Sequence, residues 1–198
     1  MKLLDRPRSG FLTKVTVFIV SSVCSIFLVE GLVTLFLGPQ MRVPRHVTTA
    51  PWGVRMNQPN VEYEHRWKGG RATFRINGQG MRSPVDFDYE KPDGQKRVLL
   101  IGDSYTIGYE AKYEDLWSTH LDEQLSAAGY DVQVLNAGVS GTGTAEQLQY
   151  LLREGLKYEP DLVVQTFFEN DFNDNIRADL FRLDAGGRLR RRSDHYVP

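Results

Sequence analysis

Apolar positions follow two regimes along the chain. "VTVFIVSSVCSIFLVEGLVTLFL", residues 15–37, is broken only by Glu30 and a few small hydroxyls, and its length matches the about 20 residues that a helix needs to cross a bilayer core. It predicts a transmembrane helix. Its rivals are a buried core helix and a signal peptide. A signal peptide's apolar region runs only ~7–15 residues and ends in small residues, whereas this one ends in "LFLGPQ". Residues 38–95 then lose periodicity. Prolines 39, 44, 51, 59, 84 and 92 and the turn pairs in "KGG", "NGQG" and "PDG" predict a neck and an irregular lead-in, with one strand at "RATFRI", 71–76.

From Lys96 short apolar runs alternate with amphipathic stretches. "KRVLLIG", 96–102, "DVQVLNAG", 131–138, and "DLVVQTFF", 161–168, read as strands buried in a sheet. Between the first two, Trp117, Leu121 and Leu125 recur every four residues, predicting a helix over 114–128 that stops at Gly129. Between the second and third, Thr144 with Gln147 resembles a capping box, and Leu148, Leu151, Leu152 and Leu156 form an apolar stripe expected to face the core. This order predicts an α/β fold, a three-layer parallel sheet covered by helices and preceded by the transmembrane helix.

Charge changes little in this picture. Lys and Arg total 24 against 25 acids, a net charge of -1 that gives no reason to expect a nucleic-acid partner. Lys2, Arg6, Arg8 and Lys14 before the apolar run outweigh Arg42, Arg45 and Arg55 after it, which favours a cytoplasmic amino terminus. Cys24 is the single cysteine, so no internal disulfide forms. "RLRRR", 188–192, reads as a solvated loop that can touch anionic headgroups.

Chemistry gathers where the strands end. In parallel α/β sheets ligands bind outside the carboxyl ends of the strands, and here those ends carry Gly102-Asp103-Ser104, then Asn136, Gly138, Ser140 and Gly141, then Glu169-Asn170-Asp171. An acyl-transfer site needs an exposed hydroxyl on a sharp turn and preorganised N–H donors around it. Ser104 offers a hydroxyl and an N–H, Gly141 an unshielded N–H, and Asn170 an amide. A phosphate-binding loop is excluded because Tyr109, not lysine, follows Gly108. "ENDFNDN" lacks the spacing of a calcium loop, so neither metal nor cofactor is expected.

"VLLIGDSYTIG", "NAGVSGTGT" and "FFENDFND" together resemble, in order, the three blocks of the SGNH hydrolases, the GDSL lipase/esterase superfamily. The resemblance covers about residues 71–190 and includes "RINGQGMRSP", similar to the lead-in of membrane-anchored bacterial members. It implies a flavodoxin-like sheet, Ser104 as nucleophile, Gly141 and Asn170 with the Ser104 N–H as oxyanion hole, and Asp103 and Asp171 as supporting residues. Glu169 stands where the family usually has glycine. The family's D-x-x-H block is not found in these residues, and Asp194 and His195 are adjacent rather than three apart. The sequence therefore reads as an incomplete sheet of about three core strands, cut before that block and expected to hydrolyse little as written. His195 is expected to be an exposed tail residue, and His46, His65 and His120 structural or solvent-facing.

The predicted layout is a cytoplasmic segment 1–14, a membrane helix 15–37, a lead-in 38–95 and a partial hydrolase domain 96–198. The predicted activity is hydrolysis of an O-acyl ester outside the cytoplasm, on an acylated small molecule, glycan or lipid, with the membrane contacted through the first helix. The alternative is a non-catalytic, membrane-tethered module that holds a carbohydrate or lipid.

Overall fold

The computed structural model describes residues 9–36 and 46–193. It divides into two compact units, residues 1–45 and 46–198. In the first, helix α1 (Ser9–Phe36) starts six residues before the predicted apolar run, because helical geometry continues through Gly10–Lys14. Residues 10–36 are long and apolar enough to cross a membrane, with a mean hydropathy of 2.2 and none of that surface buried. A signal sequence meets the same criterion. The flanking charges at 2, 6, 8, 42 and 45 lie outside the described residues.

The second unit is built on the predicted parallel sheet. Strands β5 (Lys96–Ile101), β6 (Val132–Asn136) and β7 (Leu162–Gln165) pair in the order β6-β5-β7, all parallel, with Leu99 opposite both Leu135 and Val163. Leu99, Ile101, Leu135 and Ala137 form the main core with Met81, Tyr150 and Tyr158. Helix α2 (Ser104–Ile107) follows β5 directly, and α3 (Trp117–Ala127) connects to β6. Gly129 at φ 85° provides the left-handed stop predicted for α3.

The lead-in departs from its predicted irregularity. It carries two antiparallel hairpins, β1 (Val47–Thr49) with β2 (Arg55–Asn57), and β3 (Glu62–Trp67) with β4 (Gly70–Arg75). Only β4 was visible as an alternating run. In β3 the inward positions are Tyr63, His65 and Trp67, and counting histidine as polar hides the two-residue period. These rings pack into a cluster with His46, Phe74 and Tyr109.

The helix after β6, α4 (Thr144–Arg153), is turned relative to its predicted stripe. Leu148, Leu152 and Leu156 are exposed, and the buried positions are Glu146, Gln147, Gln149 and Tyr150. The carboxylate and the two amides among them have partners that fix this rotation. Glu146 binds Arg55, Gln147 bonds the Thr142 carbonyl and Gln165, and Gln149 accepts from Arg191.

The capping box is not formed either. Asn175, on α5 (Asn170–Ala178), accepts from the Ala145 N–H at 2.9 Å and donates to the Thr144 hydroxyl at 2.7 Å, so a neighbouring helix caps α4. After α5 the chain makes a third hairpin, β8 (Phe181–Leu183) with β9 (Leu189–Arg191). The basic run is thus an exposed strand rather than a loop. Asp184 holds its turn by accepting from the N–H groups of Gly186 and Arg188 and from Arg190.

Candidate active site

The turn between β5 and α2 carries the first predicted cluster. A Cβ on Gly102 would lie 1.9 Å from Thr106 Oγ1 and 2.1 Å from Thr166 Oγ1, so only glycine permits so tight a turn here. Asp103, nearly fully buried, caps α2 by accepting the Tyr105 N–H at 2.9 Å. Ser104 is the first residue of that helix and is partly exposed. It lines a cleft of about 450 Å³ with Tyr105, Gly108, Tyr109, Glu110 and Ala111. Among the described residues no group hydrogen-bonds to its hydroxyl.

The second cluster is bonded onto this turn. The Gly102 carbonyl accepts from the Val139 N–H at 3.0 Å and from the Thr142 hydroxyl at 3.3 Å. Asn136 donates to the Thr106 carbonyl at 2.7 Å. A Cβ on Gly138 would lie 2.5 Å from the Ile107 nitrogen, so the backbone of this loop presses directly on α2. Gly141 sits between these contacts and α4 with φ 78°, where a side chain would be strained.

The third cluster joins through side chains. The hydroxyls of Thr106 and Thr166 bond to each other, the Thr166 N–H donates to the Ile101 carbonyl, and the rings of Tyr105 and Phe168 lie 4.1 Å apart. Asn170 begins α5 and donates to Asp174 at 2.9 Å, leaving its carbonyl oxygen buried without a partner.

Asp171, the next residue, is fully buried. Burial, then the charge of nearby Asp103, pushes its carboxyl up to about 6. The folded value lies above the ordinary 3.8, so the native state holds this proton where the unfolded chain has lost it. Stability from this group is complete below pH ~4 and falls as pH rises towards ~6. Asp171→Asn is therefore expected to raise the melting temperature at pH 8 and leave it unchanged at pH 3.5, as read by circular dichroism.

Sequence reasoning missed the lead-in residues that fasten the Gly141 loop. Asn57 donates to the carbonyls of Gly138 and Gly80, both at 2.8 Å. His46 Nε2 lies 3.1 Å from Ser140 Oγ and its Nδ1 3.0 Å from the Tyr63 hydroxyl. Arg55 binds Glu146 through Nε at 3.0 Å and Nη2 at 2.5 Å, and its Nη1 stands 2.9 Å from where a Cβ on Gly141 would be.

His46 and His65 are buried, as a structural role requires, and His120 is exposed beside Glu123. Burial, followed by the charges of Arg82 and His65, pushes His46 down to about 3, so it is a neutral hydrogen-bonding link at ordinary pH. Asp194 and His195 lie outside the described residues.

The central strand of the parallel sheet delivers a partly exposed serine to the sheet's carboxyl edge, with two further loops bonded to the serine's turn, an arrangement of the α/β class. Residues 100–192 match the model of the GDSL-like Lipase/Acylhydrolase family. An arylesterase of Vibrio mimicus is 34% identical over 83 residues, 42% of this chain and 40% of the relative. Among solved structures, TesA is 32% identical over 38% of this chain and 42% of its own, with a TM-score of 0.37. AlinE4, an SGNH-hydrolase family esterase, is 29% identical over 42% of this chain and 45% of its own, with a TM-score of 0.35. The chain thus spans about two fifths of the length of these relatives.

Proposed function

We propose that the second unit is a serine esterase domain of SGNH type acting on an O-acyl ester. Ser104 attacks the acyl carbon, and the oxyanion is received by its own N–H, the Gly141 N–H and the Asn170 amide. Such donors act because they are held in place before charge develops. The reading is carried by one observation: the serine begins a helix directly after the central strand, on a turn to which both other loops are bonded. Asp103 supports it by holding the turn, and Asp171 by packing behind it. The substrate is an acylated small molecule, glycan or lipid.

We read residues 1–14 as cytoplasmic, 15–37 as the span, 38–95 as the lead-in and 96–198 as the hydrolase segment, tethered outside the cytoplasm of a bacterium. Support comes from the apolar helix and the excess of basic residues before it. With no group bonded to the Ser104 hydroxyl among the described residues, hydrolysis of unactivated esters by this segment is slow. That same observation favours the second reading, a non-catalytic module holding a carbohydrate or lipid.

Trapping separates the two. The full chain in detergent micelles is treated with a fluorophosphonate, in which a serine oxygen bonds to phosphorus, fluoride leaves and the hydroxyl proton passes to water or buffer. The expected result is one phosphonyl adduct mapped by mass spectrometry to Ser104. No adduct, or one spread over surface hydroxyls, would overturn the esterase reading and leave the binding module.

A further inference from the structure

A second cleft, of about 500 Å³, lies between the β3–β4 hairpin and residues 112–114. Four cations line it, Arg71, Arg75, Arg82 and Lys112, against the carboxylates Glu62 and Glu114. Arg71 and Arg75 pair at the rim with Glu64 and Glu62, at 3.9 and 3.6 Å, through mostly exposed side chains. Exposed pairs of this kind are weak and open readily to a competing anion.

Arg82 is different. It is only 2% exposed, yet no carboxylate binds it among the described residues. Nη2 donates to the Ala111 carbonyl at 3.1 Å, and the guanidinium lies 3.6 Å above the Phe74 ring. Nη1 is buried with no partner. A buried cation without a counter-charge is costly, and an unsatisfied buried donor adds to that cost. Lys112, in the same cleft, also has no partner among the described residues.

We infer that this cleft is a binding site for a phosphate group, held by Arg82 and Lys112. A guanidinium fork and an ammonium match an anion with three or four acceptor oxygens better than one with two. The site goes beyond the esterase reading and does not depend on Ser104. It is nevertheless close to that serine's cleft, because the segment 109–113 forms a wall of both: Tyr109, Glu110 and Ala111 line one, Lys112 and Tyr113 the other. A ligand on Arg82 also bears on the Ala111 carbonyl, and through it on the mouth of the Ser104 cleft.

The test is isothermal titration of the full chain in detergent micelles, at constant ionic strength, with inorganic phosphate and with glycerol 3-phosphate. Wild-type protein is expected to bind one equivalent. Lys112→Ala is expected to weaken binding about tenfold, the loss of one charge-assisted contact. Glu114→Gln is expected to tighten it by removing a repelling carboxylate. Lys157→Ala, on a different surface, leaves it unchanged.

Binding of both probes assigns the site to a phosphate ester, and binding of inorganic phosphate alone assigns it to the free anion. Arg82→Met is expected to abolish binding; should that variant fail to fold, the exposed Lys112 and Glu114 variants still decide. No binding of either probe, or binding that Lys112→Ala and Glu114→Gln do not move, overturns the inference.

Discussion

Ser104→Ala is expected to remove the phosphonyl adduct completely while changing the rate of p-nitrophenyl acetate hydrolysis by no more than about twofold, since catalytic groups act as a unit and losing one leaves little for the next to lose. The two readouts report different things. Phosphonylation is one displacement, in which the hydroxyl proton is lost once to water or buffer as fluoride leaves, whereas turnover needs a base that takes the proton in acylation and activates water in deacylation. The Ser104 hydroxyl is presented to a cleft and has no bonded base among the described residues, which separates the two requirements. A mass shift that persists in the alanine variant would remove Ser104 from the mechanism. Turnover that collapses by ~10³-fold or more would show that a base serves it after all.

The parallel sheet was legible because its strands are buried runs bounded by turn residues. Leu99, Leu100 and Ile101 have no polar neighbour to confuse the pattern, and the carboxyl edge from which the loops carrying Ser104, Gly141 and Asn170 start follows from parallel pairing alone. What remained hidden depended on contacts distant in sequence. The rotation of α4 is set by Arg55, 91 residues from its partner Glu146, and no window on Leu148–Leu156 contains that information. His46 and Ser140, 94 residues apart, are likewise joined only by the fold. The lead-in was misread because prolines and short polar-rich strands look like linker. Its aromatic alternation Tyr63, His65, Trp67 carried a usable signal, visible once histidine is counted with the rings it stacks on.

The ion pair that joins that hidden lead-in to α4 is also where a single substitution is expected to damage the fold severely. Glu146 is 1% exposed and receives three hydrogen bonds from Arg55, two from the guanidinium and one from the backbone N–H at 3.2 Å. Glu146→Ala takes from the buried Arg55 the carboxylate that bonds it three times, and is expected to cost about 3–5 kcal/mol, a large part of the ~5–15 kcal/mol that holds a domain together. Urea unfolding of the full chain in micelles reads this as a lowered midpoint.

Removing both charges tells a different story. Arg55→Met with Glu146→Leu has no uncompensated ion, and its midpoint is expected to return to within ~1 kcal/mol of wild type. The double variant still lacks the guanidinium that stands against Gly141, so its rate of phosphonylation at Ser104 is expected to stay below wild type even though the fold is restored. If Glu146→Ala unfolds at the wild-type urea concentration, water reaches the pair and it is no structural clamp. If the double variant recovers stability and labelling rate together, Arg55 serves the fold alone and the Gly141 loop holds its shape without it.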